Sequence, residues 1–157
     1  MKKKIFLEFF FILFIFFADR LSKILILNFN KSNETNEIII SSFLKLSLIW
    51  NEGIAFGLFA FNEKTYYNFL TAIIILITLI VLIMASKTRG LEKLGFMMIL
   101  GGSIGNIFDR LYYSAVPDFI DFHLNNFHWF IFNVADIFIT LGVILLVTTE
   151  IFLRKKS

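Results

Sequence analysis

The chain has 157 residues, 58% of them hydrophobic, and a formal net charge of +3. So apolar a composition points to an integral membrane protein rather than a soluble domain, and so modest a charge gives nucleic-acid binding no support. The absence of cysteine excludes disulfides, thiolate metal sites and cysteine nucleophiles.

The opening stretch MKKKIFLEFFFILFIFFA resembles a secretory signal peptide in its basic start and apolar run. Glu8 interrupts that run, however, and no small-x-small cleavage site follows, so the segment is read as a retained first span. Residues 5–17 alone cover only about 20 Å at about 1.5 Å per residue, short of the roughly 30 Å hydrocarbon core. The helix is therefore expected over 5–27, carrying Asp19, Arg20 and Lys23 with it. Asp19 and Lys23 stand at i, i+4 in the favourable order, which lowers the cost of holding both near the interface.

Residues 28–36 are polar and turn-rich, and Asn33-Glu34-Thr35 is a glycosylation sequon of a kind common by chance. Leu44, Leu46, Leu48 and Trp50 then alternate with Lys45, Ser47, Ile49 and Asn51, the period of a half-buried strand. NEGIAFG (51–57) breaks that strand with a flexible turn, and a second short strand is expected beyond it. Together they predict a small sheet over about 38–61, lying on the membrane surface. Residues 66–85 form an almost purely apolar second span with Tyr66 and Tyr67 as interfacial anchors. KTRGLEK (87–93) is a short basic loop, 94–111 the third span and 132–153 the fourth. The expected architecture is a single domain over 1–157. It is a mainly α four-transmembrane-helix bundle, with an extracytoplasmic β-sheet after the first helix and an extracytoplasmic loop between helices three and four.

With four spans, the N-terminus, the KTRGLEK loop and the C-terminus share one side. They hold Lys2, Lys3, Lys4, Lys87, Arg89, Lys93, Arg154, Lys155 and Lys156, most of the chain's 15 Lys and Arg. The positive-inside rule then places both termini in the cytoplasm, and the sheet and Asp118 outside.

The stretch GGSIGNIFDRLYYSAVPDFIDF (101–122) carries the polar groups that need explaining. A charged side chain near a bilayer centre costs roughly 2.5–3.5 kcal/mol on insertion scales. Yet Asn106, Asp109 and Arg110 arrive inside an apolar run, spaced to share one helix face. Asp118 and Asp121 follow, and the last apolar run opens with Asn133 and Asp136. Two carboxylates held about 3 Å apart cannot both ionise. Such a dyad activates water, the ionised member taking a proton while the neutral one protonates the carbonyl oxygen or leaving amine. Asp136 paired with either Asp118 or Asp121 fits that role. The competing reading is that these residues cap helices at the interface, and it weighs most on the two loop carboxylates.

GGSIG also fits the Gly-x-Ser-x-Gly nucleophile pattern, with His123 and His128 downstream. That elbow needs a strand before the serine, whereas Ser103 lies in a helical run. Gly101 and Gly105 instead form a small-xxx-small pair suited to close helix packing. The histidines, at i, i+5 at the start of and within the aromatic loop HLNNFHWF, miss the i, i+4 metal-binding helix spacing, and that loop is read as an interfacial anchor.

NEGIAFG, GGSIGNIFDR, VPDFIDF and FNVAD, in this order, resemble the motif set of the lipoprotein (type II) signal peptidases of bacteria, and Asp19 with Lys23 is similar to that family's first motif. The resemblance covers nearly the whole chain. It implies an intramembrane aspartic endopeptidase of the bacterial inner membrane, active near the outer face. The enzyme would cut prolipoprotein signal peptides on the N-terminal side of a diacylglyceryl-modified cysteine, with no metal and no cofactor. Its partners would be those substrates, membrane lipid and the antibiotic globomycin. By motif, the dyad is Asp118 with Asp136. Asn51, Gly53, Asn106, Arg110 and Asn133 match substrate- and inhibitor-binding positions, and Asp19, Lys23 and Asp109 match structural support. Pro117 stands where the family usually has an aliphatic residue, and Arg20 where Gln is frequent. Intramembrane Asp and Arg also suit a small ion-coupled transporter, but four spans are few and no inverted repeat is visible.

Overall fold

The computed structural model describes residues 2–32, 37–53, 64–124 and 127–152. Helices α1 (Lys2–Ser32), α2 (Lys64–Lys87), α3 (Gly90–Tyr113) and α4 (Val134–Phe152) surround one another, and α3 packs against the other three. Strands β1 (Glu37–Ser41) and β2 (Leu44–Asn51) follow α1, whereas β3 (Val116–Leu124) and β4 (Phe127–Phe132) lie between α3 and α4. All four pair antiparallel in the order β1-β2-β3-β4.

The residues 67–87 and 134–152 are long and apolar enough to cross a membrane. Their large side chains face outward: Phe69 is 66% exposed and Ile144 54%. An outer surface of this kind is what lipid contact requires. The interior combines small residues and charge with a few large apolar side chains. Ala85, Phe96 and Leu100 form the apolar centre, with Ile12, Val81 and Leu146 packed against it. A Cβ on Gly101 would sit 2.7 Å from Ile15 Cβ, and one on Gly102 would sit 2.5 Å from the Ala135 carbonyl oxygen. The same test on Gly142 gives 2.6 Å to the Gly95 carbonyl oxygen. The glycines of GGSIG therefore let α1 and α4 close on α3, as the small-xxx-small spacing predicts.

Several boundaries differ from expectation. Helix α1 continues through 28–32, where a turn was predicted, and Ser32 Oγ donates back to the Asn28 carbonyl at 2.9 Å. The basic loop shrinks to Thr88 and Arg89, because Gly90 at φ +62° turns the chain directly into α3. The segment between α3 and α4 is a hairpin that completes the sheet instead of a loop. Period two does not reproduce the burial of β2, whose residues 44–48 are all half-buried, since a register shift between Leu46 and Ile49 interrupts its pairing with β3. The expected second strand after NEGIAFG, the sequon at 33–35 and the basic residues 154–156 lie outside the described residues, as does the side chain of Tyr66.

Candidate active site

Helix α4 begins with a reciprocal cap. Asn133, its N-cap residue, accepts the Asp136 backbone N–H on Oδ1 at 3.1 Å, and Asp136 Oδ2 accepts the Asn133 N–H at 3.2 Å. This is a capping box built from Asn and Asp, and it locks the Asp136 carboxylate at the first turn. The interfacial-cap reading of Asp136 is thus correct as local structure. The second oxygen does something else: Oδ1 accepts from Asn106 Nδ2 at 2.9 Å.

Asn133 also reaches the sheet. Its Nδ2 donates to Asp118 Oδ1 at 2.6 Å, while Asn51 Nδ2 donates to Asp118 Oδ2 at 2.9 Å. A single amide therefore ties Asp118 to the turn that holds Asp136. Asn51 is aimed by its own Oδ1, which accepts the Gly53 N–H at 2.8 Å, and Arg110 Nη2 clamps the same turn through the Gly53 carbonyl at 2.7 Å. Asn51, Asn106, Arg110, Asp118, Asn133 and Asp136 line one cleft of about 220 Å³. Its remaining wall includes Ile74, Ser103, Val116, Ile139 and Thr140. Asp118 is only 3% exposed. Burial, reinforced by the negative charge of Asp136, pushes its carboxyl up to about 6, against the opposing pull of the two amide donors.

Beneath the cleft lies a fully buried ion cluster. Lys23 Nζ donates to Asp19 Oδ2 at 2.9 Å, Asp109 Oδ2 at 2.6 Å and Asn106 Oδ1 at 3.0 Å. The last bond fixes the orientation of the Asn106 amide, so that its Nδ2 must face Asp136. Asp19 Oδ1 accepts the Ala135 N–H at 3.0 Å, tying α1 to the first turn of α4. Arg20 pairs with Asp109 and lies with its guanidinium carbon 5.0 Å from the Phe108 ring centre. The family resemblance implied structural support at Asp19, Lys23 and Asp109, and marked Arg20 only as a departure from the family pattern. Its partner on another helix left no local signal.

Asp121 is not in the cleft. Three residues from Asp118 on one strand, it points to the other face and bonds His128. Ser103 does line the cleft, but within α3 and with neither histidine among the lining residues, so the strand-turn-helix elbow is not formed. The apolar wall residues come from α2, β3 and α4, and nothing near them in sequence marks them.

Residues 11–152 match the family model described as Signal peptidase (SPase) II. The chain is 46% identical to the lipoprotein signal peptidase of Pelagibacter ubique (strain HTCC1062) over 155 residues, covering 99% of this chain and 93% of that one. It is 42% identical to the lipoprotein signal peptidase of Francisella tularensis subsp. novicida (strain U112) over 122 residues, 75% of this chain and 76% of the relative. Among solved structures, a bacterial membrane enzyme determined by the in meso method at 2.3 Å resolution superposes with a TM-score of 0.73 at 24% identity. That superposition covers 96% of this chain and 89% of the other, and it carries the fold.

Proposed function

The chain belongs to the signal peptidase II family, and from that premise we propose that it removes signal peptides from diacylglyceryl-modified prolipoproteins, cutting N-terminal to the lipidated cysteine by aspartic catalysis. One observation carries the chemistry. Asp118 and Asp136, from a strand and a helix, face one cleft and are bridged by Asn133. Among the described residues, the other hydrogen-bond donors seen on the two carboxylates are amides. Amides do not titrate in the working range, so they orient the oxygens and leave the proton to be shared between the carboxyls.

In the reaction, the ionised carboxylate takes a proton from water, which attacks the scissile carbonyl carbon. The protonated partner gives its proton to the carbonyl oxygen. On collapse of the tetrahedral intermediate that partner takes a hydroxyl proton back, while the first carboxyl passes the proton taken from water to the departing amine. The elevated affinity of Asp118 for a proton suits such a pair at near-neutral pH. Asn51, Gly53, Asn106, Arg110 and Asn133 form the binding surface for substrate and for inhibitors such as globomycin. The apolar wall of Ile74, Val116 and Ile139 receives the signal-peptide helix. Asp19, Lys23 and Asp109 serve as the foundation. All four helices span the bacterial inner membrane as one peptidase domain, with both termini cytoplasmic and the sheet and cleft at the outer face. Of the buried charges that had suggested ion transport, Asp19, Arg20, Lys23 and Asp109 are paired with one another, and Arg110 donates to the Gly53 carbonyl.

The test is cleavage of a purified diacylglyceryl-modified prolipoprotein by the purified protein in detergent, with mass spectrometry of the products. A new N-terminus at the lipidated cysteine, formed equally in the presence of chelator, is the expected result. Absence of cleavage by a folded sample, or loss of cleavage to chelator in a sample that stays folded, contradicts the proposal.

A further inference from the structure

The β3–β4 hairpin carries a group of side chains that the cleft chemistry does not use. Asp121, His123 and His128 each offer one donor atom, and the three atoms lie within 4.8 Å of one another. The backbone explains the convergence. His123 and His128 are register partners across the antiparallel pair, so their i, i+5 spacing, wrong for a helix, sets them opposite each other. Asp121 precedes His123 by two residues and projects to the same side of the strand. The two imidazole rings stack with centroids 5.5 Å apart and planes inclined by 27°.

We propose that Asp121, His123 and His128 form a binding site for a divalent transition-metal ion of the zinc type, separate from the catalytic cleft. Two imidazole nitrogens and one carboxylate oxygen are a donor set that zinc accepts, leaving a fourth position for water. Donors around a tetrahedral zinc stand roughly 3.3 Å apart, given bonds of about 2.0–2.1 Å. Asp121 and His128 already approach more closely, at 2.8 Å, and all three donors lie within 4.8 Å of one another, so binding requires the side chains to re-space around the ion. His123 supplies an independent pointer: its Nδ1 is buried and has no hydrogen-bond partner among the described residues. A buried ring nitrogen in that state is costly unless something occupies it.

The nearby cation does not close the site. Lys45 Nζ lies 3.8 Å from Asp121 Oδ2, but it is held by Glu37 at 2.7 Å. Asp121 Oδ1 remains turned toward His128. Asp121 is 1% exposed on its side chain and His128 45%, so an ion enters from the His128 side and settles against a buried carboxylate. Bound there, it fastens β4 to β3, the strand that also carries Asp118.

Full-length protein with no polyhistidine tag, purified in detergent, is loaded with zinc chloride and desalted, and the retained metal is counted. A parallel sample takes cobalt(II), whose visible absorption reports tetrahedral coordination. The expected result is about one metal per chain and a tetrahedral cobalt spectrum, with chelator lowering the melting temperature. His123→Ala and His128→Ala lose the retained metal and the cobalt band. His128→Gln, which keeps a hydrogen bond toward Asp121, behaves like His128→Ala while melting near the wild-type apoprotein. No retained metal in folded wild-type protein overturns the proposal. Equal retention by all three variants overturns it too, and Asp118→Asn then tells whether the cleft is the true holder.

Discussion

At the scale of single residues, Asn133 is the hinge of the account. Its carboxamide accepts from the Asp136 N–H and donates to Asp118, so one side chain caps a helix and joins the two proposed catalytic carboxylates. Asn133→Ala removes both bonds. The cap is worth about 1 kcal/mol of stability, and the lost alignment is expected to lower kcat by about 10- to 100-fold. A thermal melt and steady-state cleavage separate the two effects, and Asn133→Ser, which can still cap, restores the stability but not the rate. Lys23 is the second test. With Asp19, Asp109 and Asn106 as its ligands, Lys23→Met leaves Arg20 as the one remaining cation against two buried carboxylates, among the described residues. The predicted loss is about 3–5 kcal/mol, the usual consequence of breaking a buried pair from one side. A denaturation midpoint close to wild type contradicts it. Most of these residues were legible in the sequence, because polar groups inside apolar runs announce themselves. Their pairings were not. The i, i+4 spacing of Asp19 and Lys23 predicted one bond, but the bonds to Asn106 and Asp109 join helices remote in the chain.

At the scale of elements, the assembly depends on how closely α4 approaches α3. The Cβ test at Gly102 meets backbone, the Ala135 carbonyl oxygen at 2.5 Å, so a larger residue must push α4 away. Gly102→Val is expected to cost about 1–3 kcal/mol as overpacking. It also displaces the turn carrying Asp136, so cleavage should fall further than stability. Ser103→Ala, one residue on, is the control that changes neither much. Helices were legible from apolar runs, and alternation located the inner strand β2 although its burial does not follow period two. The hairpin was hidden because LNNFHWF is aromatic and polar without a clean period, and because β3 alternates poorly around Pro117. Only pairing with β2 and β4 reveals why those residues are extended. That concealment also hid the His123–His128 register, since a spacing of five has meaning only across a turn.

At the scale of the whole molecule, the sheet and the bundle meet at the cleft, and each contributes one carboxylate. Asp118 is burdened by burial and by the charge of Asp136, and its proton affinity is raised to about 6. The sign follows. A carboxyl with a raised folded pKa holds its proton more firmly when folded, so the dyad is singly protonated on the acid side of its upper transition and loses that proton as pH rises. Cleavage should therefore decline on the alkaline side, with a limb starting near 6 in the free enzyme and moving upward when substrate excludes water. A kcat/KM profile flat between about pH 5 and 9 contradicts a shared-proton dyad. The measurement that bears most directly on the central claim is single-turnover cleavage of diacylglyceryl-modified prolipoprotein by wild type, Asp118→Asn, Asp136→Asn and Ser103→Ala. The account predicts that both aspartate variants lose about 10³-fold or more in rate while still binding substrate, and that Ser103→Ala cuts nearly as wild type. Cleavage by Asp136→Asn at the wild-type rate, with Ser103→Ala inactive, would place the chemistry on the serine and overturn it.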